Sequence, residues 1–134
     1  MMRVDNYMTA NVITIDQDSK FIEAMEKMEQ HQIRHLLVMD GEKLVGIVTL
    51  TDLYRVSPSP ANALSNHELP YLLDKLKVKH FMTKKLEIIN PLDSIKVAAK
   101  QMLENRISCL PVINDGRLVG VITETDVLRA IMME

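Results

Sequence analysis

The stretch GIVTLTD, Gly46 to Asp52, returns as GVITETD, Gly120 to Asp126. In both places an apolar run containing a glycine gives way to a polar, helix-capable segment. Taken alone the motif has two meanings. A threonine at a helix N-cap and an aspartate in the first turn satisfy free backbone N–H groups and the helix dipole. A strand that ends this way can also hold a ligand: backbone N–H groups and hydroxyls meet phosphate oxygens there, and a nearby carboxylate can accept both hydroxyls of a ribose. Whichever holds must hold twice.

Outward from the motif, an offset of 74 residues lays Met8 to Arg55 on Met82 to Arg129 without a gap, with 15 of 48 positions identical. A self-match of that length marks two copies of one unit. Each copy opens with a β-prone run, NVITI or LEII, and a polar turn in which Ser19 or Asp93 is placed to cap a helix. Phe21, Ala24, Met25 and Met28 then recur at helical spacing, as do Ile95, Ala98, Ala99 and Met102. Two apolar runs follow, LLVM and KLVGIV in the first copy, LPVI and RLVGVI in the second, joined by Asp-Gly turns that signal hairpins. A last helix is expected from about Thr51 to Arg55 and from about Thr125 to Met132. The unit is β-α-β-β-α, giving an α+β fold.

About 50 residues without disulfides bury too little surface to stand alone, so the two copies are expected to pack sheet to sheet around a pseudo-twofold axis. Residues 1–57 form the first repeat, 58–78 a linker and 79–134 the second repeat. In the linker Pro58 and Pro60 keep the chain extended, and a Ser65-x-x-Glu68 capping box precedes a helix with Leu69, Leu72, Leu73 and Leu76 on one face.

Tandem β-α-β-β-α units that each close on Gly-h-h-Thr-x-x-Asp, with h apolar, resemble a pair of CBS (cystathionine β-synthase) domains, the Bateman module, from about Met8 to about Met132. The size and the linker are similar to the small stand-alone bacterial proteins grouped with acetoin-utilisation protein B. The resemblance implies a regulatory module that binds an adenine nucleotide or related adenosyl compound (AMP, ADP, ATP, S-adenosylmethionine or NAD) between the repeats. It also implies a homodimer that acts on a protein partner. By that resemblance Asp52 and Asp126 take ribose hydroxyls, while Thr49, Thr51, Thr123 and Thr125 lie near phosphate. Arg34 and His35 in IRHLLV supply cations to phosphate, where ISCLPV has Ser108 and Cys109. Cys109, Leu110 and Pro111 line the second site, and Ile13 with Thr14, and Ile88 with the divergent Glu87, face the adenine. Unequal sites are expected.

Composition narrows the alternatives. A net charge of −2 and pI near 6.1 give no basic field for nucleic acid. No apolar run approaches the ~20 residues of a membrane span, the N-terminus lacks a signal-peptide core, and the single Cys109 suits a reducing compartment, so a cytoplasmic protein is expected. No nucleophile-base or acid-base pair supports an enzyme, and no cofactor is required. His31 and His35 are split between a helix end and a strand, which disfavours a metal site. Lys75, Lys77, Lys79, Lys84 and Lys85 read as a solvated face, and IMME as an exposed tail that could meet a partner. With no effector domain in these residues, output is expected to pass through another chain. The alternative is a ligand-free dimerisation or interaction module in which the threonines only cap helices.

Overall fold

The computed structural model describes residues 2–56 and 74–133. The expected capping box at Ser65 and Glu68 and the Leu69, Leu72 and Leu73 helix face lie outside the described residues. The chain forms two compact units, one of Ile13–Leu86 and one of Met1–Val12 with Glu87–Glu134. These do not follow the sequence copies. The segment at the head of each copy, Met8-Thr9 or Met82-Thr83, folds with the body of the other.

The Ile13–Leu86 unit contains β1 (Thr14–Asp16), α1 (Phe21–His31), β2 (His35–Asp40), β3 (Lys43–Thr49), α2 (Leu50–Val56) and a 3-10 turn at Val78–His80. β1 runs parallel to β2, and β2 antiparallel to β3. Thr83 extends the far edge by exchanging N–H and C=O bonds with Ile47, at 2.8 and 3.0 Å. Its core joins Phe21, Ala24 and Met28 of α1 to Leu36, Val38 and Val48 of the strands, with Leu53 of α2 and Val78. The Phe21 ring meets Phe81 edge-on, centroids 5.8 Å apart.

The second unit has a 3-10 turn at Val4–Asn6, α3 (Ile95–Asn105), β4 (Cys109–Asn114), β5 (Arg117–Thr123) and α4 (Glu124–Met132). β4 and β5 pair antiparallel. Thr9 bonds Val121 as Thr83 bonds Ile47, at 2.8 and 2.9 Å. Val4 joins Ile89, Ile95, Ala98, Leu110, Ile122 and Val127 in its core.

The second hairpin turns on its Asp-Gly pair, whereas in the first Asp40 still pairs with Lys43 and the loop is Gly41-Glu42. Gly41 sits at φ 60°, and Asp115 and Gly116 both have positive φ, the pattern of a two-residue type I′ loop. α1 and α3 end in left-handed residues, Gln32 and Arg106, with the following N–H of Ile33 or Ile107 returning to Met28 or Met102, a Schellman closure.

Four local expectations need correction. Ser19 does not cap α1: Lys20 holds the N-cap without a side-chain bond, and the Phe21 N–H is taken by the Leu76 carbonyl at 3.0 Å. Asp93 does not cap α3, because its carboxylate accepts the Asn90 N–H and Ser94 accepts the Val97 N–H instead. Met25 lies outside the core, 38% exposed, since the buried stripe of α1 is narrowed to Phe21, Ala24 and Met28. LEII yields no strand, only a parallel bridge from Ile89 to Val112.

Candidate functional site

In the Ile13–Leu86 unit β3 runs into α2 at Thr49. The Thr49 Oγ1 accepts the Asp52 N–H at 3.1 Å, and the Asp52 Oδ2 accepts the Thr49 N–H at 2.9 Å. This reciprocal box satisfies two otherwise orphaned donors. The register places His35 opposite Thr49, and the Leu50 N–H donates to the Arg34 carbonyl at 2.9 Å. The backbone therefore brings Arg34, His35, Thr49 and Asp52 to one corner of the sheet. Thr51 is exposed beside them.

The other unit repeats the corner. Thr123 caps α4 through the same reciprocal box with Asp126, at 2.9 and 3.3 Å, and its hydroxyl also lies 3.1 Å from the Asp126 Oδ2. Cys109 stands opposite Thr123, and the Glu124 N–H donates to the Ser108 carbonyl. Thr125 is exposed.

Both aspartates are only 6% exposed, and their oxygens divide the work in the same way. Oδ2 serves the fold. Oδ1 faces the guanidinium of the residue three positions on, Arg55 at 3.5 Å and Arg129 at 3.9 Å. Thr83, from the exchanged segment, adds a hydroxyl to the Asp52 Oδ2 at 3.4 Å. The sequence motif omitted Thr83, Arg55 and Arg129, although all three positions belong to the identities between copies (Thr9/Thr83 and Arg55/Arg129).

The remaining expected residues sit differently. Thr14 lies in β1, where its carbonyl already accepts the Lys27 ammonium at 2.6 Å, and Ile13 is half-buried beside the core. Ile88 is 49% exposed, and its carbonyl accepts from the Gln101 amide. Leu110 is fully buried in the core of its unit. Pro111 is buried and its carbonyl accepts the Ile89 N–H.

Burial, and secondarily the Asp126 charge, pushes the Cys109 thiol up to about 12 from 9.0. The unfolded thiol ionises near 9.0 while the folded one stays protonated, so this contribution to stability is intact below pH 9 and is lost as pH rises toward about 12. Urea midpoints should fall across that window and less so in Cys109→Ala. Native protein should also resist alkylation at pH 8 that the urea-unfolded chain undergoes rapidly.

Lys79 and Lys77 reach Asp18 at 2.9 and 3.8 Å, so part of the lysine cluster is spent on surface ion pairs. Among the described residues no three His, Cys, Asp or Glu side chains group to hold a metal ion. No helix among them is long and apolar enough to cross a membrane.

The CBS domain model matches residues 4–59 and 78–133. A homoserine O-acetyltransferase of Methanobrevibacter ruminantium is 35% identical over 130 residues, covering 96% of this chain and 24% of the enzyme. The chain thus spans about a quarter of the first curated relatives it matches. A putative acetoin utilization protein (AcuB) from Vibrio cholerae is 28% identical with a TM-score of 0.81, covering 99% of this chain and 92% of that one. CBSX2, solved in complex with AMP, is 26% identical with a TM-score of 0.81, covering 99% and 98%. The CBS domain pair of MJ0100, solved with 5'-methylthioadenosine and S-adenosyl-L-methionine, is 25% identical with a TM-score of 0.79, covering 97% and 99%. With both matched regions closing on the same Thr-x-x-Asp corner, the chain belongs to the CBS domain family and carries two copies of that domain.

Proposed function

We propose that this chain is a regulatory module that senses an adenosine-containing compound. The ligand is an adenine nucleotide (AMP, ADP or ATP) or a related adenosyl compound, S-adenosylmethionine or NAD, and the module catalyses nothing itself. The observation that carries this reading is the doubled corner in which a buried carboxylate and a threonine stand at a strand-to-helix junction. In the first copy Arg34 and His35 adjoin it. Asp52 and Asp126 offer a ribose diol charge-assisted acceptors, and Thr49, Thr51, Thr123 and Thr125 offer hydroxyls to phosphate. Ligands of this class in CBSX2 and the MJ0100 pair support the choice.

The copies differ in charge. Arg34 and His35 make the first corner the one suited to a phosphorylated ligand, whereas Ser108 and the buried, protonated Cys109 give the second no cation at the matching positions. Occupancy becomes a signal only if affinity differs between two states of the module or its assembly, which for this fold we take to be a homodimer acting on another protein. The activities of longer relatives are not carried over, because the likeness covers only about a quarter of their length.

A second reading has its own observation. Among the described residues, the bonds of Asp52 and Asp126 belong to a helix cap, a neighbouring hydroxyl or an arginine, as a ligand-free interaction module would have them. Calorimetric titration with AMP, ADP, ATP, S-adenosylmethionine and NAD separates the two. The sensing reading expects heat and a raised melting temperature with at least one of them. Absence of both across the panel would overturn the sensing reading for these ligands and leave the interaction module as the standing alternative.

A further inference from the structure

Each corner aspartate has one oxygen committed to the helix cap and one facing an exposed arginine. The side chains of Arg55 and Arg129 are 73% and 69% exposed, while those of their carboxylate partners are 8% exposed. The contacts, 3.5 and 3.9 Å, are long for a charge-assisted bond, and the same pair recurs at the same spacing in both copies. We propose that Arg55 and Arg129 are displaceable counter-ions that occupy the ribose acceptor of each corner and so set its affinity and its salt response. This rests on the assignment of Asp52 and Asp126 as ribose acceptors.

The reason is competition for Oδ1. Oδ2 already accepts the N-cap N–H and a threonine hydroxyl, so an incoming diol must take Oδ1, the atom the guanidinium faces. The guanidinium is exposed on a flexible stem and stands 3.5 or 3.9 Å from Oδ1, so it keeps most of its hydration and can leave into water at small cost. The arginine therefore acts as a weak, salt-sensitive competitor rather than a block.

The test uses the full chain and the neutral nucleoside adenosine, which carries the diol without phosphate. Arg55→Gln combined with Arg129→Gln should bind adenosine about two- to fivefold tighter than wild type. Raising the salt should tighten adenosine binding to wild type, by screening the competitor, and leave the double variant unchanged. 2',3'-Dideoxyadenosine, which lacks the competing hydroxyls, should gain nothing from the substitutions. Equal or weaker adenosine binding by the double variant overturns the proposal, as does an equal gain for the dideoxy compound. If Asp52→Ala and Asp126→Ala abolish binding while the arginine variants change nothing, only this inference fails. If wild type binds no adenosyl compound, the sensing reading fails and takes the inference with it. Both arginines are exposed, so the variants should melt close to wild type.

Discussion

Replacing Asp52 by alanine should weaken adenosine-nucleotide binding at its corner by about ten- to a hundredfold, and Asp126→Ala should do the same at the second. A hydrogen bond to a charged group is worth about 1.5–3 kcal/mol, and each 1.4 kcal/mol is a factor of ten in affinity. Losing one such bond to the ribose gives the lower end, and losing more gives the upper. The effect of Asp52→Ala on AMP should be the larger, since Arg34 and His35 lie at that corner alone. Both substitutions also remove half of a capping box, which costs about 1 kcal/mol in urea denaturation. Asp52→Asn separates the two effects, because the amide oxygen can still accept the Thr49 N–H, whereas the charge presented to the ligand is gone. It should keep most of the stability and lose most of the affinity. Under the interaction-module reading these variants change stability alone.

Gly120→Ala should destabilise the protein by about 1–3 kcal/mol, the range for atoms forced into a filled space. A Cβ built at Gly120 stands 2.7 Å from the Met8 sulfur and 2.9 Å from the Thr9 carbonyl oxygen. The sulfur can swing away. The carbonyl cannot, because it accepts the Val121 N–H that fastens the exchanged N-terminal segment to β5. Trimming the sulfur in a Met8→Ala background should therefore leave Gly120→Ala destabilising. Full rescue by Met8→Ala would show that side-chain crowding alone keeps the glycine there. Gly46→Ala meets the Met82 sulfur at 2.6 Å and the Thr83 carbonyl at 3.0 Å, and should be somewhat milder.

The α-β-β-α order of both copies was legible because each element carries its own signal: Phe21, Ala24 and Met28 at helical spacing, Asp-Gly at or beside the hairpin loops, Thr49 and Thr123 before the last helices; the leading strand formed only in the first copy. The exchange of head segments was not. Met8-Thr9 and Met82-Thr83 are identical, and so are Gly46 and Gly120, so the sequence permits either pairing and only packing selects one. The caps erred for a related reason. α1 does without a side-chain cap because the Leu76 carbonyl, 55 residues away in sequence, takes the first N–H. In the other copy, Asp93 and Ser94 are both competent caps, and Asp93 is drawn off by the Asn90 N–H.

At the corner, the motif identified the threonine and the aspartate, and the strand register then brought Arg34 and His35 to them. Thr83 could not be assigned to Asp52 from spacing, since the bond spans 31 positions and depends on the exchange. LEII had the apolar residues of a strand, but Gln101 takes the Ile88 carbonyl and Asn90 begins the turn that carries Asp93, so pairing shrinks to Ile89.

The most direct measurement is the map of backbone amide shifts in the isotopically labelled protein as AMP is added. The largest shifts are expected at Thr49 to Asp52 with Arg34 and His35, and weaker ones at Thr123 to Asp126. A spectrum that AMP and the other adenosyl compounds leave unchanged, or shifts concentrated away from both corners, would contradict the assignment of these junctions as the ligand site.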